Sequence, residues 1–327
     1  MRSGSLLTFL ISIAGLCAGC ASFRSFDQVR REVPQSQFVR VGDQLVHVEQ
    51  AGSGEPVVLL HGFGGSTYAW RKVMPGLARA HRVVAIDLNG FGYTQRPRAA
   101  AAYTREGQTA LVLGVMDALG IDRAHLFGHS YGGGLSLFLA ARHPERLRTL
   151  VLVDSAAPTY PEDRRSRVAS FRPVANLFLR SVALQPSAVR RALRASYYDD
   201  SLITPELVEA YLDRLLVQGA DDAFYGLTVP RAAPGPPVEL EAIRVPTLAV
   251  WGAEDELVSR ASGQRSVGRI PGAEFVAIER CGHIPMEEKP EEFLQAVLPF
   301  LDRHSSDKPL PLLPVRGVGG DGRRGPG

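Results

Sequence analysis

The stretch Ala124-His125-Leu126-Phe127-Gly128-His129-Ser130-Tyr131-Gly132-Gly133-Gly134 decides how this chain is read. A short apolar run ends in G-x-S-x-G, and a helical pattern over 132–141 follows at once. A serine between glycines at a strand-to-helix turn has the form of a nucleophile elbow. The serine sits in a strained turn, and Gly128 and Gly132 let neighbouring backbone pass where a Cβ would collide. The helix N-terminus behind it favours negative charge developing at the hydroxyl. A glycine-rich turn inside a core would use the same letters, so the weight rests on the surrounding chain.

Outward from this stretch, apolar runs recur and end in turn residues: Pro56–Leu60 before His61-Gly62, Arg82–Ile86 before Asp87, Thr149–Val153 before Asp154, Pro246–Trp251 before Gly252, and Phe275–Ile278 before Cys281-Gly282. Continuous runs of four to six residues suit strands covered on both faces. Helical patterns lie between them over Thr104–Leu119, Gly132–Ala141 and Pro290–Leu301. This alternation predicts an α/β domain, a mostly parallel sheet with helices on both faces. A hairpin, Phe38–Val41 and Gln44–Glu49 about Gly42-Asp43, precedes it. The rhythm stops between 156 and 238, where helical patterns (Val168–Leu184, Ser187–Ala195, Pro205–Leu216) run into Pro230, Pro234, Pro236 and Pro237. That stretch reads as an inserted helical cap, with the core over 36–155 and 239–303.

A serine hydroxyl is a poor nucleophile at neutral pH and needs a base within hydrogen-bond reach, itself oriented by an acid. His283, after the Phe275–Ile278 run, is the histidine placed after a candidate acid and inside the domain. Trp251-Gly252-Ala253-Glu254-Asp255 ends the preceding strand in acids. Asp255 is the first choice, with Asp154, Glu254 and Glu256 as competing carboxylates. His61-Gly62-Phe63-Gly64-Gly65 follows an earlier strand and offers a backbone N–H for an oxyanion. Phe63 N–H and Tyr131 N–H form the candidate pair. His61 and His129 read as supporting residues, and His47, His81, His125 and His143 as satisfied or surface positions. Cys281 reads as a space-filling thiol.

These segments together resemble the α/β-hydrolase superfamily over about residues 38–303. The carriers are His61–Gly65, Asp87-Leu88-Asn89-Gly90-Phe91-Gly92, Gly128–Gly132, Trp251–Asp255 and Gly282-His283. Within it the chain is similar to the capped group of esterases, carbon–carbon bond hydrolases, cofactor-free haloperoxidases, epoxide hydrolases and haloalkane dehalogenases. The last two carry aspartate at the elbow, and Ser130 argues against them. The resemblance implies a Ser130–His283–Asp255 triad, an acyl-enzyme on Ser130 and no metal or organic cofactor. It implies hydrolysis of carboxylic esters of a small-molecule substrate, with cleavage of a carbon–carbon bond in a diketone-like ring-cleavage product as the alternative. A non-catalytic binding protein on the same scaffold is the third reading, disfavoured by the intact residue order. The Asp87–Gly92 string is read as a structural turn.

The ends of the chain carry other information. Arg2, the apolar run Leu6–Leu16 and the small residues Ala18-Gly19-Cys20-Ala21 form a secretory pattern too short to span a bilayer. The site resembles a bacterial lipobox with cleavage before Cys20, although Cys17 stands where such boxes usually carry leucine. The expectation is export to a bacterial envelope and a lipid anchor at Cys20, with ordinary secretion, then an uncleaved anchor or a misread start site, as the alternatives. Residues 20–35 read as a tether or a first surface segment. Residues 304–327 read as a Pro/Gly-rich tail that cannot bury enough surface to order itself. With 37 Lys+Arg against 34 Asp+Glu the net charge is +3, which gives no reason to expect a nucleic-acid partner. Three cysteines cannot build a disulfide framework. The first part of the cap is basic, with eight arginines against two acids from Tyr160 to Tyr198. This is a solvated face or a surface suited to anionic lipid. Phe63, Phe171, Phe178 and Tyr225 are candidate pocket residues.

Overall fold

The computed structural model describes residues 22–156, 179, 184–228 and 237–305. In chain order the elements are α1 (Phe26–Glu32), β1 (Phe38–Val41), β2 (Gln44–Ala51), β3 (Glu55–Leu60), α2 (Met74–Leu77), β4 (His81–Ile86), α3 (Arg105–Ala118), β5 (Ala124–His129), α4 (Tyr131–Arg142) and β6 (Leu147–Val153). Within the insertion lie α5 (Pro186–Ser196), α6 (Pro205–Leu215) and α7 (Ala220–Thr228). The chain then returns with β7 (Thr247–Gly252), α8 (Arg260–Val267), β8 (Glu274–Ile278), α9 (Pro285–Glu288) and α10 (Pro290–Arg303).

The eight strands form one sheet in the order β1-β2-β4-β3-β5-β6-β7-β8. From β4 to β8 every pairing is parallel, whereas β1–β2 and β2–β4 are antiparallel. The direction of winding reverses at β3, which lies between β4 and β5. In open α/β sheets the crevice outside the carboxyl ends of strands at such a reversal is where ligands bind. The His61 loop leaves β3 there and Ser130 leaves β5 beside it.

Alternation along each buried strand sends successive side chains to opposite faces. Val58, Leu60, Val84, Ile86, Leu126, Leu150 and Leu152 pack with Leu111, Val112 and Val115 of α3 and Leu135 and Leu139 of α4. Val57, Leu59, Val83, Ala85, Phe127, Val151 and Val250 pack on the other side with Trp70 and with Phe293, Val297, Phe300 and Leu301 of α10. The insertion shares this second core, through Val189 and Leu193 of α5 and Leu207, Val208 and Tyr211 of α6. A parallel sheet buried on both faces is therefore the reason its strands read as unbroken apolar runs.

The segment that reads as a tether is a correction in part. Ser25 caps α1 by accepting from Gln28 N at 3.1 Å, and Val29 is fully buried with Tyr93 and Val217. Backbone bonds Arg24 N to Leu216 O (2.9 Å) and Gln218 N to Arg24 O (2.8 Å) tie it to the chain after α6. Arg24 also bonds Asp213 and Glu32. Residues 24–33 are thus a docked surface segment. Among the described residues no helix is long and apolar enough to cross a membrane. The signal-like segment with Cys20, the Val168–Leu184 pattern for the most part, Phe171, Phe178, most of the basic stretch and the tail beyond 305 lie outside the described residues.

Candidate active site

Ser130 adopts φ 49° and ψ −113° between β5 and α4. A non-glycine residue held at such angles stores on the order of 1–3 kcal/mol and persists only where the surroundings fix it. Three backbone bonds do so: Ser130 N to Val153 O (2.9 Å), Gly134 N to Ser130 O (3.1 Å) and Ala156 N to Ser130 O (3.0 Å). The glycines are required by close approach. A Cβ on Gly132 would lie 2.6 Å from the carbonyl oxygens of both Leu60 and His61. A Cβ on Gly62 would lie 2.7 Å from His129 Nδ1 and 3.1 Å from Ser130 Cβ, so the loop after β3 rests directly on the elbow.

That loop is pinned by His61, which is fully buried. Leu88 N donates to His61 Nε2 (3.1 Å), which leaves the proton on Nδ1, and Nδ1 donates to Gly62 O (2.8 Å). Burial pulls the His61 pKa down and keeps the ring neutral, as this pair of bonds demands. The Phe63 N–H makes no hydrogen bond to another described residue, and its ring, about half exposed, meets those of Phe91 and Tyr131 at 5.3 and 6.3 Å. Tyr131 begins α4 directly after Ser130, and Phe63 follows Gly62, whose Cα position faces Ser130 Cβ.

His283 Nδ1 bonds Asp255 Oδ2 at 2.7 Å, and both residues are buried. Asp255 Oδ1 accepts from Leu257 N (2.8 Å) and Val258 N (3.0 Å). Burial pushes the Asp255 carboxyl up, but the His283 and Val258 bonds outweigh it and hold the group below the ordinary carboxylate range. His129 Nε2 donates to His283 O (2.8 Å), with the two rings 4.9 Å apart, so the catalytic candidate is fastened to the residue before Ser130. Burial first, and the neighbouring His283 second, drop the His129 pKa to about 3 and leave it neutral. The Ser130 hydroxyl makes no hydrogen bond among the described residues. Nucleophile–base bonds commonly tighten only with substrate in place.

The competing acids take other positions. Glu254 Oε2 accepts from Cys281 N (2.9 Å) and Glu254 N donates to Cys281 O (3.0 Å), stitching the acid loop to the histidine loop. Glu256 is exposed. Asp154 is fully buried beside Asp255 and His283; one ligating atom from each of the three lies within 4.8 Å of the others. The 2.7 Å separation of His283 Nδ1 and Asp255 Oδ2 is a direct hydrogen bond, with no room for a cation between them. Asp87 binds His47 Nδ1 (2.7 Å), Thr67 N (2.6 Å) and Tyr93 N (2.8 Å), so the Asp87–Gly92 turn is a structural hub. His125 bonds Thr149 Oγ1 (2.9 Å), and Cys281 is a buried free thiol.

Sequence reasoning missed the two acids that follow His283. Glu288 accepts from Gly282 N (2.7 Å), Asp199 N (2.7 Å) and Tyr198 N (3.2 Å). Glu287, fully buried, accepts from Arg71 Nη1 (2.5 Å), Tyr197 OH (2.8 Å) and Tyr211 OH. His283 N itself donates to Ser196 O at the end of α5 (2.7 Å). The histidine loop is thus tied to the insertion. The signal available was Met286-Glu287-Glu288 between the histidine loop and α10, acids in a place where the chain must be buried.

A strained serine at the switch point, a neutral glycine loop against it and a carboxylate-bound imidazole define the class: an α/β fold built around a nucleophile elbow. A family profile described as alpha/beta hydrolase fold matches residues 55–290. The chain belongs to the alpha/beta hydrolase family. Among curated relatives, a 2-hydroxy-6-oxo-2,4-heptadienoate hydrolase of Pseudomonas putida is 33% identical over 276 residues, 81% of this chain and 95% of the relative. Among solved structures, the meta-cleavage product hydrolase of Pseudomonas fluorescens IP01 is 27% identical, covers 84% of this chain and 99% of its own, and has a TM-score of 0.69. A bacterial membrane phospholipase A is 29% identical, with 91% of each chain covered and a TM-score of 0.66.

Proposed function

We propose that Ser130 is the nucleophile of a hydrolase acting on an activated ketone of the meta-cleavage-product class, with His283 as general base and Asp255 as the acid that orients it. The carrying observation is the 2.7 Å His283–Asp255 bond fastened beside the strained Ser130. Ser130 Oγ adds to the carbonyl carbon as His283 takes its proton. The Phe63 and Tyr131 N–H groups receive the oxyanion. The scissile carbon–carbon bond then breaks, the carbon leaving group takes the proton from His283, and an ester remains on Ser130. Water attacks that ester with His283 again as base, and Ser130 recovers its proton. Kinship to the Pseudomonas hydrolases supports the bond type over the ester first read from sequence.

Ester hydrolysis is the second reading, since the same residues serve it unchanged. Alignment with the membrane phospholipase A over 91% of both chains favours it, as does the lipobox-like start of this one. Export and lipidation at Cys20 are part of our proposal, with the basic cap meeting anionic lipid. Mass spectrometry of the mature N-terminus tests the anchor, and a plain N-terminus beyond Cys20 would remove it. Liposome association should fall with salt, and no change would remove the lipid contact. The bond type is decided by kcat/KM on a 2-hydroxy-6-oxo-dienoate, followed by loss of its conjugated absorbance, against p-nitrophenyl esters and a short-chain phospholipid. A higher value on the dienoate supports the first reading, and a higher value on either ester supports the second. Turnover of all three by Ser130→Ala would refute both.

A further inference from the structure

Asp154 closes β6 at φ 42°, and its side chain is wholly buried. Its Oδ1 accepts the Gly252 N–H at 2.9 Å. Its Oδ2 is also buried and, among the described residues, has no hydrogen-bond partner. One oxygen of this carboxylate lies beside the Asp255–His283 pair, one ligating atom from each of the three residues being within 4.8 Å of the others. Two ionised carboxylates cannot share so small a dry space, and one must keep its proton. The donors decide which. Asp255 has two backbone N–H groups and the imidazole N–H to satisfy its charge, while Asp154 has one backbone N–H.

We infer that Asp154 is a neutral carboxylic acid that donates its Oδ2–H to the Asp255 carboxylate, a positioning residue that fixes the acid which in turn fixes His283. The assignment satisfies the orphaned oxygen, removes the repulsion and leaves the three side chains with one negative charge. Burial, then the charge of Asp255, push the Asp154 carboxyl well above its ordinary range, in agreement. Among the described residues the titratable groups facing Asp154 are Asp255 from the loop after β7, His283 and Cys281 from the loop after β8, and Glu288 from α9. None of them brings a fixed positive charge that would favour ionisation.

The inference rests on Ser130, His283 and Asp255 acting as one unit. The full chain is tested with an alkyl fluorophosphonate, whose phosphorus bonds Ser130 Oγ as fluoride leaves and His283 takes the proton. The second-order labelling rate is followed from about pH 5 to 9, so that its acid limb reports His283. In Asp154→Asn a neutral donor replaces a neutral donor. Its acid-limb midpoint should stay within about 0.3 units of the parent, and its rate within about threefold. Asp154→Ala removes the donor and should slow labelling by about tenfold or more, the loss expected for one charge-assisted hydrogen bond. A fall of the Asp154→Asn midpoint by about one to two units would mean that a negative charge near His283 had been deleted, and would overturn the inference. So would a tenfold loss in Asp154→Asn, or an Asp154→Ala rate equal to the parent's. Labelling of Ser130→Ala would instead overturn the underlying triad, a separate and recognisable outcome. Asp154→Asn is isosteric, and a melting curve matching the parent's keeps the midpoint comparison valid even if Asp154→Ala does not fold.

Discussion

Replacing Glu287 by alanine is the most searching test of how the insertion is held to the core. The carboxylate lies at 0% exposure and accepts from Arg71, Tyr197 and Tyr211, while Lys72 Nζ donates to its backbone carbonyl at 2.7 Å. Arg71 belongs to the segment before α2, Tyr211 to α6, and Tyr197 follows α5, so one anion joins the sheet domain to two cap helices. Its reach is visible in its neighbours. Burial and then the Glu287 charge push both phenols above their ordinary pKa, and Glu287 lifts the Arg71 guanidinium despite burial pulling it down. Truncation would strand two buried phenols, each costing about 1–3 kcal/mol, and one guanidinium. The Arg71 side chain keeps about a quarter of its surface in water, which softens the last contribution. Breaking a buried pair costs about 3–5 kcal/mol, and we expect about 4 here. For a domain of this size that is a fall of about 8–16 °C in Tm. Urea denaturation with an unchanged slope and differential scanning fluorimetry measure it directly. A loss below about 1 kcal/mol would refute the claim that this carboxylate clamps insertion to core.

Three further outcomes follow from the packing and electrostatics. The His129 and His125 pKa values are depressed to about 3 and about 4, chiefly by burial, so both rings fold neutral and charge on unfolding. Their contribution is full above about pH 6.5 and is lost as pH falls towards those values, at up to about 2.7 kcal/mol per pH unit for two protons. Denaturation midpoints that stay flat from pH 7 to 5 would contradict this. Gly62→Ala forces a methyl against His129 and Ser130 and should lower kcat/KM by about 10²-fold, read in an ester or dienoate assay. Parent-like turnover would show that this loop does not abut the nucleophile. Phe293→Ala empties a site between Trp70 and Phe127, whose rings lie 6.4 Å from it, and should cost about 3–5 kcal/mol by urea denaturation. A cost under about 1 kcal/mol would place the core elsewhere.

The strands were legible because a sheet buried on both faces leaves unbroken apolar runs such as Val57-Val58-Leu59-Leu60, which ends with β3 at Leu60, whereas β5 continues past its apolar run to His129. The elbow was legible because its glycines are demanded by backbone approach, as the His61 and Leu60 carbonyls against Gly132 make plain. Asp255 could not be separated from Asp154, Glu254 and Glu256 by spacing. Asp255 was preferred there by position alone, and only coordinates show that Glu254 turns to Cys281 while Asp255 turns to His283. The helix α1 was hidden because a charged seven-residue segment carries a single buried apolar side chain, Val29, and docks through Arg24 and backbone bonds instead. Glu287 and Glu288 were hidden by the range of their contacts. Their partners Tyr197, Tyr198, Asp199 and Tyr211 lie far away in sequence, and no local pattern announces a contact of that range.

The central claim is that Ser130 is the nucleophile served by His283. It is tested most directly by treating the full chain with an alkyl fluorophosphonate and locating the adduct by tandem mass spectrometry. The account expects one phosphonyl group, on Ser130, with labelling and turnover both abolished in Ser130→Ala and labelling slowed by orders of magnitude in His283→Ala. An adduct on any other residue, or unimpaired turnover in Ser130→Ala, would contradict it.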